Sequence, residues 1–377
     1  MLAQFTINTC KSFGCRNLGL PISASADYSW PDYRLGFPAL HCRACGSYPP
    51  LFDEQHFNEW LSAHLRAYAS ENGYFCPECY RQEIICYGYN PQGTQRVQCR
   101  ICRKVWTPKQ QKQRKRKRVT PACIETVPLI VPFQGSCAEQ KLYVLLSFDA
   151  DSGHILHIST NFTQHDIGET LRYRWRGKRE PDLHQHDIVS RVDMREMQFL
   201  RRSQFDEIQY GSAALKRNAR GAILRPVIAA HGHFRVLNIL FPEVKMHVFS
   251  HECFLRGAAI TAWADLFREG QGELWFIEEE INEEECDIPW TFQRTTQHGW
   301  WQTQWQLWRQ GKNFKMVCPL TGGDINNAEM LSLTASRHFI DWLYKQTNFT
   351  HSAKLSAGRV TQVLLSLMHD YNDKIAG

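Results

Sequence analysis

The sequence predicts a protein of the α/β (α+β) class, in which two small cysteine-rich modules precede a larger core with a helical C-terminal region. Three observations support this prediction. Eight cysteines form four close pairs in the first third of the 377 residues. After residue 140, short apolar runs rich in strand formers alternate with helical patterns, as expected of a mixed fold. Residues 326–374 are mostly helical in pattern, with Gly358 as a candidate break.

Composition and charge exclude several classes of protein. Hydrophobic residues make up 43% of the chain and charged residues 22%, which is ordinary for a globular protein. No apolar run reaches the roughly 18 residues of a membrane helix, and the start of the chain lacks the basic-then-apolar pattern of a secretory signal. We therefore expect a cytoplasmic protein with no membrane partner, whose cysteines are kept reduced.

The chain divides into five parts. Residues 51–72 carry Phe57, Trp60, Leu61 and Leu65 at the three- and four-residue spacings of a helix. A basic run at 109–118 leads into a stretch with prolines at 121, 128 and 132, which is typical of a linker. The predicted parts are a first module at 1–50, a connecting helix at 51–72, a second module at 73–108, a basic linker at 109–135 and a body at 136–377.

The cysteine pairs have the spacing of zinc ligands. In the second module two C-x-x-C pairs are separated by 19 residues, so that two tight turns can close a shell of four thiolates around one Zn²⁺. The first module has a looser C-x4-C pair followed by C-x-x-C. Each set fills all four positions of a tetrahedral ion, which indicates structural zinc; the alternative is buried cysteines without metal. The predicted ligands of the two sites are Cys10, Cys15, Cys42 and Cys45, and Cys76, Cys79, Cys99 and Cys102.

Positive charge is concentrated beside the second cysteine set. Residues 1–120 hold 17 Lys and Arg against 8 Asp and Glu, a balance of +9, whereas the remainder of the chain has a balance of −3. Such a distribution favours contact with the phosphates of DNA; the alternative is a solvated basic linker. The candidate DNA-binding residues are Arg96, Arg100, Arg103, Lys104, Trp106, Lys109, Lys112, Arg114, Lys115, Arg116, Lys117 and Arg118.

The body begins with a predicted hairpin. Residues 142–148 form an apolar run, residues 149–153 a turn signal, and residues 154–160 the returning strand. Further along the chain, the patterns predict strands at 223–230 and 244–250 and helices at 234–240 and 255–267.

Two segments of the cysteine-rich region resemble the zinc ribbons of bacterial insertion-sequence transposases. These are YFCPEC at 74–79 and QRVQCRICRKVWT at 95–107, and CKSFGCRNLG at 10–19 with CRACG at 42–46 is similar to a related ribbon. The resemblance covers about residues 8–108. It implies that the body is an RNase H-like domain, in which two Asp and one Glu hold two Mg²⁺ ions for phosphoryl transfer.

The catalytic part of that resemblance is incomplete in this chain. Asp149, which follows the first strand of the predicted hairpin, matches the position of the first Asp. The stretch 226–237 matches the region of the second, but His231 stands near the expected place, and a neutral His suits Zn or Mn better than Mg. The third acid has no assigned position, although six Glu lie within 278–285. The resemblance thus implies a DNA-binding protein with impaired catalysis, needing Mg²⁺ or Mn²⁺ only if active.

Other interpretations remain open at this level. His231, His233, His247, His251 and Glu252 lie within 22 residues, which would suit a metal-dependent nuclease. A non-enzymatic regulator is also compatible with the sequence; its body would then bind a protein partner or a second copy of the chain.

The tryptophans of the body also leave two interpretations. Trp301, Trp305 and Trp308 recur at helical spacing. They form either the core face of a helix or a stacking platform for unpaired bases.

Overall fold

A computed structural model describes residues 5–36, 38–49, 51–109, 119–137, 140–173, 183–201, 212–282, 288–299, 303–321 and 325–376. Within these residues the fold is a mixed α+β architecture with two cysteine clusters near the N-terminus.

The first cysteine module is a small unit built on one short hairpin. Strands β1 (Tyr28–Asp32) and β2 (Ala39–Cys42) are antiparallel, and isolated bridges join Thr9 to Pro21 and Cys10 to Leu18. Its few apolar residues surround the buried Tyr28 ring. The Tyr28 hydroxyl accepts a hydrogen bond from the Cys10 backbone N–H at 2.9 Å and donates to the Leu20 carbonyl at 2.8 Å, so it fixes the first cysteine turn.

The predicted connecting helix is confirmed as α1 (Glu54–Asn72). The Asp53 side chain caps its N-terminus by accepting the His56 N–H, and Gly73 ends it with a φ of 72° that favours glycine. The residues that set the helical pattern face the core, because Phe57, Trp60, Leu61 and Leu65 are all buried.

The second cysteine module is a three-stranded antiparallel sheet. Its strands are β3 (Ile84–Tyr89), β4 (Gln95–Cys99) and β5 (Val105–Trp106), in the order β3-β4-β5.

The body is organised around a mixed eight-stranded sheet within the described residues. Its first three strands form an antiparallel meander, and the next two run parallel to the first strand on its other side. The strands are β6 (Cys123–Phe133), β7 (Gln140–Asp149), β8 (Ile155–Thr160), β11 (Met246–Ser250), β12 (Glu273–Glu280), β13 (Thr291–His298), β14 (Thr303–Gln310) and β15 (Asn313–Pro319). Their order is β13-β14-β15-β12-β11-β6-β7-β8, and β9 (Phe162–Thr163) pairs separately with β10 (Ala222–Ile223).

Helices cover both faces of this sheet. Strand β7 shows why, since Tyr143 and Leu145 belong to one apolar cluster and the alternate Leu142, Val144 and Leu146 to another. The first cluster is covered by α2 (Ile188–Arg201), α3 (Pro226–Leu240), α4 (Cys253–Ala262) and α5 (Ala264–Arg268). The second is covered by α6 (Thr334–Tyr344), the short α7 (Thr347–Thr350) and α8 (Ala357–Ala376).

The linker prediction is wrong for residues 123–133, which form the central strand β6. The two prolines in this strand led to the error, because proline removes a hydrogen bond from a sheet ladder. Strand β11 pairs only with residues 123–126 of β6. Pro128 and Pro132 therefore lie where, among the described residues, β6 pairs with β7 and with no second strand.

The strand predicted at 223–230 is also wrong, because α3 begins at Pro226 and only Ala222 and Ile223 are in a strand. A fully buried helix shows no polar face, so its apolar run cannot be told from a buried strand by periodicity. Proline at the first helical position needs no N–H there, which makes Pro226 a start signal. The predictions of strands around 142–148, 154–160 and 244–250 and of a helix at 234–240 are confirmed.

Two predictions near the C-terminus need correction. Trp305 and Trp308 lie in strand β14 rather than a helix, and Trp301 lies outside the described residues. Trp305 is fully buried, so it cannot serve as a stacking platform. Gly358 falls in the first turn of α8, and the helical region is interrupted before it, between α6 and α8. The helix predicted at 255–267 is confirmed as α4 and α5, which are separated at Trp263, where the backbone is not helical.

Candidate metal centres

The first predicted cysteine set converges in space. The Sγ atoms of Cys10 and Cys45 are 3.6 Å apart, and those of Cys15 and Cys42 are 3.8 Å apart. All four sulfurs lie within 4.8 Å of one another. The loop that carries Cys10 and Cys15 and the hairpin that carries Cys42 and Cys45 thus meet over one point.

The second predicted set converges in the same way. The Sγ atoms of Cys76 and Cys102 are 3.4 Å apart, and those of Cys79 and Cys99 are 3.6 Å apart. Again all four sulfurs lie within 4.8 Å of one another. Cys99 is the last residue of strand β4, and this end of the strand lies beside the turn that contains Cys79.

The chemistry of both sets fits a structural Zn²⁺ ion. Zinc–sulfur bonds of about 2.3 Å in a tetrahedron put neighbouring sulfurs about 3.8 Å apart, close to the distances found here. The sulfurs also accept hydrogen bonds, as thiolates would. The backbone N–H of Glu78 is 3.4 Å from the Cys76 sulfur, and the side chain of Asn17 donates to the Cys42 sulfur at 3.4 Å. Four cysteines leave no ligand position open for catalysis.

The first module packs directly against the body. A Cβ added to Gly19 would come within 3.0 Å of the Ala264 side chain in α5, so only glycine permits this approach. Arg268 donates to the Leu18 carbonyl at 3.3 Å, and Arg256 donates to the Lys11 carbonyl at 3.4 Å. The module is therefore part of the structure that covers α4 and α5.

Lys11 shows how far this contact is buried. Its Nζ donates to the Ile7 carbonyl at 3.0 Å and lies 5.3 Å from the centre of the Phe52 ring. Burial lowers the pKa of Lys11 to about 7, an effect that Glu54 opposes. Lys11 follows the predicted ligand Cys10 directly in the sequence. Its contacts with Ile7 and Phe52 give it a packing role.

The connecting helix and the second module both contact α3. The Trp60 ring lies against Gly232, where an added Cβ would come within 3.0 Å of the ring, and the Trp60 indole N–H donates to Thr163 at 3.3 Å. From the second module, Gln82 donates to the Leu240 carbonyl at 3.3 Å and also to that of Ile239. The connecting helix and the second module are thus both fixed against α3.

The predicted DNA-binding side chains of the second module lie mostly on its surface. Arg100, Arg103, Lys104 and Lys109 are exposed. Lys104 forms an ion pair with Glu78 at 3.1 Å, which neutralises part of its charge.

Two other predicted contacts are half-buried. The Arg96 guanidinium lies 5.7 Å from the centre of the Tyr87 ring, and Trp106 is partly covered by the module itself. Lys112, Arg114, Lys115, Arg116, Lys117 and Arg118 lie outside the described residues.

Asp149 ends β7 before a turn, as the predicted hairpin requires, but β7 is the second strand of the meander, whereas the resemblance places the first acid after the first strand. Its side chain is buried, and one oxygen accepts a hydrogen bond from the Ser152 hydroxyl. Among the described residues, only the two cysteine sets form groups of three or more potential metal ligands. Asp149 therefore has no pair of acids beside it in this part of the chain, and its catalytic role stays a prediction.

The histidines of the predicted nuclease site do not converge. His231 is buried against Phe52 and Phe57, with ring centres 5.7 and 6.1 Å away. His233 lies between two hydroxyls, those of Ser147 and Ser159, each at 2.8 Å.

The remaining members of that set have separate surroundings. His247 contacts Trp263, with ring centres 4.4 Å apart, and His251 pairs with Glu196 at 3.0 Å. Burial lowers the pKa of His247 to about 3, so it is a neutral core residue. The hypothesis of a histidine-centred nuclease is therefore not supported by the positions of these side chains.

A buried charged cluster at the start of α6 was missed by sequence reasoning. Glu125 accepts the backbone N–H groups of Ala335 and Ser336 at 3.2 and 2.8 Å, and burial raises its pKa to about 7. Glu279 accepts the Leu333 N–H at 2.9 Å and pairs with Arg337 at 2.7 Å. The one sign of this cluster in the sequence is Glu125, a charged residue inside the apolar run of β6. These carboxylates cap a helix from strands far away in the chain.

Comparison of the chain with protein-family models, with curated proteins and with solved structures finds no match. In the part of the chain that the structure describes, no helix combines the length and apolar character needed to cross a membrane.

Proposed function

We propose that this chain is a zinc-dependent DNA-binding protein related to insertion-sequence transposases, and that its second cysteine module makes the DNA contact. The proposal depends on one contrast between the two modules. Gly19 of the first module lies against α5, whereas Arg100 and Arg103 beside Cys99 and Cys102 are exposed. A zinc-held turn would keep these guanidinium groups in fixed positions for phosphate oxygens.

The body supports descent from an RNase H-like domain. Strands β6, β7 and β8 form an antiparallel meander, and β11 and β12 run parallel to β6 on its other side. A mixed sheet covered by helices is the kind of core that the resemblance implies for the body. Asp149 follows the second strand of the meander, not the first as the resemblance implies, and it is not grouped with two further acids among the described residues. We therefore propose binding without DNA cleavage.

Salt-dependent binding to duplex DNA tests the first part of the proposal. The zinc-loaded protein would be titrated onto a fluorescent 30-base-pair duplex at several salt concentrations. The double variant Arg100→Ala/Arg103→Ala should bind more weakly and should lower the slope of log affinity against log salt by about 2. The matched control, Arg66→Ala/Arg359→Ala, removes two exposed arginines from α1 and α8. An equal effect of both double variants, or no binding at low salt, would refute the proposal.

Cleavage assays separate the binding protein from an enzyme. Wild-type protein and Asp149→Ala would be incubated with supercoiled plasmid in Mg²⁺ or Mn²⁺. The proposal expects no nicking by either protein. Metal-dependent nicking that is lost in Asp149→Ala would establish a nuclease or transposase activity instead.

A further inference from the structure

The outer end of the second module carries aromatic side chains that its own fold does not use. Tyr87 is 46% exposed and Tyr89 is 68% exposed, and both lie at the end of β3 opposite to Ile84, which pairs with the zinc ligand Cys99. At the zinc-ligand end of the same module, Ile101 between Cys99 and Cys102 is 60% exposed. Large side chains left in solvent over so short a segment are typical of an interaction surface.

Cationic groups accompany these rings. The Arg96 guanidinium of β4 lies 5.7 Å from the centre of the Tyr87 ring, within the range of a cation–π contact. Arg96 therefore covers part of this ring, while nearly half of the Tyr87 residue remains exposed. Arg100 and Arg103 are exposed in the same module. Rings and positive charge thus occur together on one small sheet.

An irregularity in β3 bends the strand at the two tyrosines. Gly88, between the two tyrosines, has a φ of 67°, and the pairing of β3 with β4 shifts between Cys86 and Tyr89. A glycine in this conformation allows the strand to bend without strain. A Cβ added to Gly88 would have nothing within 4 Å, so the surroundings of this segment are open.

We infer that this surface, formed by Tyr87, Tyr89 and Arg96, binds unpaired bases of single-stranded nucleic acid by stacking. Every base has a flat face, so exposed rings can bind single strands without sequence preference, and nearby arginines bind the phosphates. Bases inside a duplex are already stacked and cannot reach an exposed ring. The inference depends on the proposed function, because it names the form of nucleic acid that the second module prefers.

Binding of short oligonucleotides tests this inference. The zinc-loaded full chain would be titrated onto fluorescent 15-mers of thymidine, of uridine and of duplex DNA. Stacking contributes about 5- to 150-fold in affinity per base. We expect Tyr87→Ala/Tyr89→Ala to weaken single-strand binding by about tenfold or more and duplex binding by less than about twofold. Tyr87→Phe/Tyr89→Phe keeps both rings and should bind like the wild type. If Tyr87→Ala/Tyr89→Ala weakens binding of the thymidine 15-mer more than that of the uridine 15-mer, DNA is the preferred strand. The opposite order identifies RNA.

The matched control removes two exposed rings from the first module. Phe13 and Tyr33 are 38% and 64% exposed, and Phe13→Ala/Tyr33→Ala should leave binding unchanged. Unchanged zinc content would show that each variant is folded around its metal. If the Tyr87 and Tyr89 variants affect single strands and duplex equally, or affect neither, the inference is overturned while arginine-dependent duplex binding would preserve the proposed function. If no oligonucleotide binds at low salt, both fail.

Discussion

The contact between the first cysteine module and the body can be tested with one glycine. Gly19 has a φ of +69°, and a Cβ there would come within 3.0 Å of the Ala264 side chain. Alanine in the left-handed region costs about 1 kcal/mol. Overpacking a tight contact adds about 1–3 kcal/mol. We therefore expect Gly19→Ala to lower the free energy of unfolding by about 2–4 kcal/mol.

Gly14 supplies the control for backbone strain. Its φ is +76°, but a Cβ there would have nothing within 4 Å. Gly14→Ala should therefore cost only the backbone contribution of about 1 kcal/mol. The double variant Gly19→Ala/Ala264→Gly removes the clash. It should recover most of the extra destabilisation of Gly19→Ala over Gly14→Ala, although glycine in α5 itself costs up to about 1 kcal/mol.

Urea unfolding of the zinc-loaded proteins, followed by tryptophan fluorescence, measures these differences. The diagnostic quantity is the excess destabilisation of Gly19→Ala over Gly14→Ala. If the two alanine variants unfold at the same urea concentration, or if Ala264→Gly gives no recovery, the first module does not press against α5 as described.

Three further predictions concern the metal, a buried acid and the connecting helix. Cys10→Ser and Cys99→Ser should each reduce the zinc content from about two ions per chain to about one, and a metal-free folded wild type would contradict the assignment. Because the pKa of Glu125 is raised from 4.5 to about 7 by burial, the folded state holds this proton more tightly. Its contribution to stability is thus present at low pH and is lost as pH rises through that window. Glu125→Gln should gain up to about 3 kcal/mol relative to wild type between pH 4 and 8, and parallel stability–pH curves would exclude this. Trp60→Ala should cost about 3–5 kcal/mol by leaving a cavity beside Gly232, as measured by thermal unfolding; a loss below about 1 kcal/mol would mean that α1 is not anchored there.

Local features of the chain were predictable because their causes are local. The helix α1 has its cap, its apolar stripe and its terminating Gly73 within about twenty residues. Likewise, each C-x-x-C turn sets two sulfurs close together without help from the rest of the fold. The hairpin of β7 and β8 also followed from two apolar runs around a turn.

Features that depend on distant partners were not predictable in the same way. Pro128 and Pro132 argue against a strand until it is known that β11 ends before reaching them. The apolar run of α3 indicates that the segment is buried, but it does not distinguish a helix from a strand. The helix is buried along most of its length, so it has no polar face that would show a helical period. The closely spaced His231 and His233 point into different surroundings, because neighbouring positions on a helix do not share a face.

The sequence by itself determined the two cysteine sets, their spacing and the basic character around the second set, because these depend on residue type and short-range geometry. Only the tertiary structure decided what each set is attached to. Gly19 meets α5 across more than 240 positions of the chain, while Arg100 and Arg103 remain exposed. Two modules with the same ligand chemistry therefore differ in role, since contacts between distant segments determine which surface is buried and which is left for a partner.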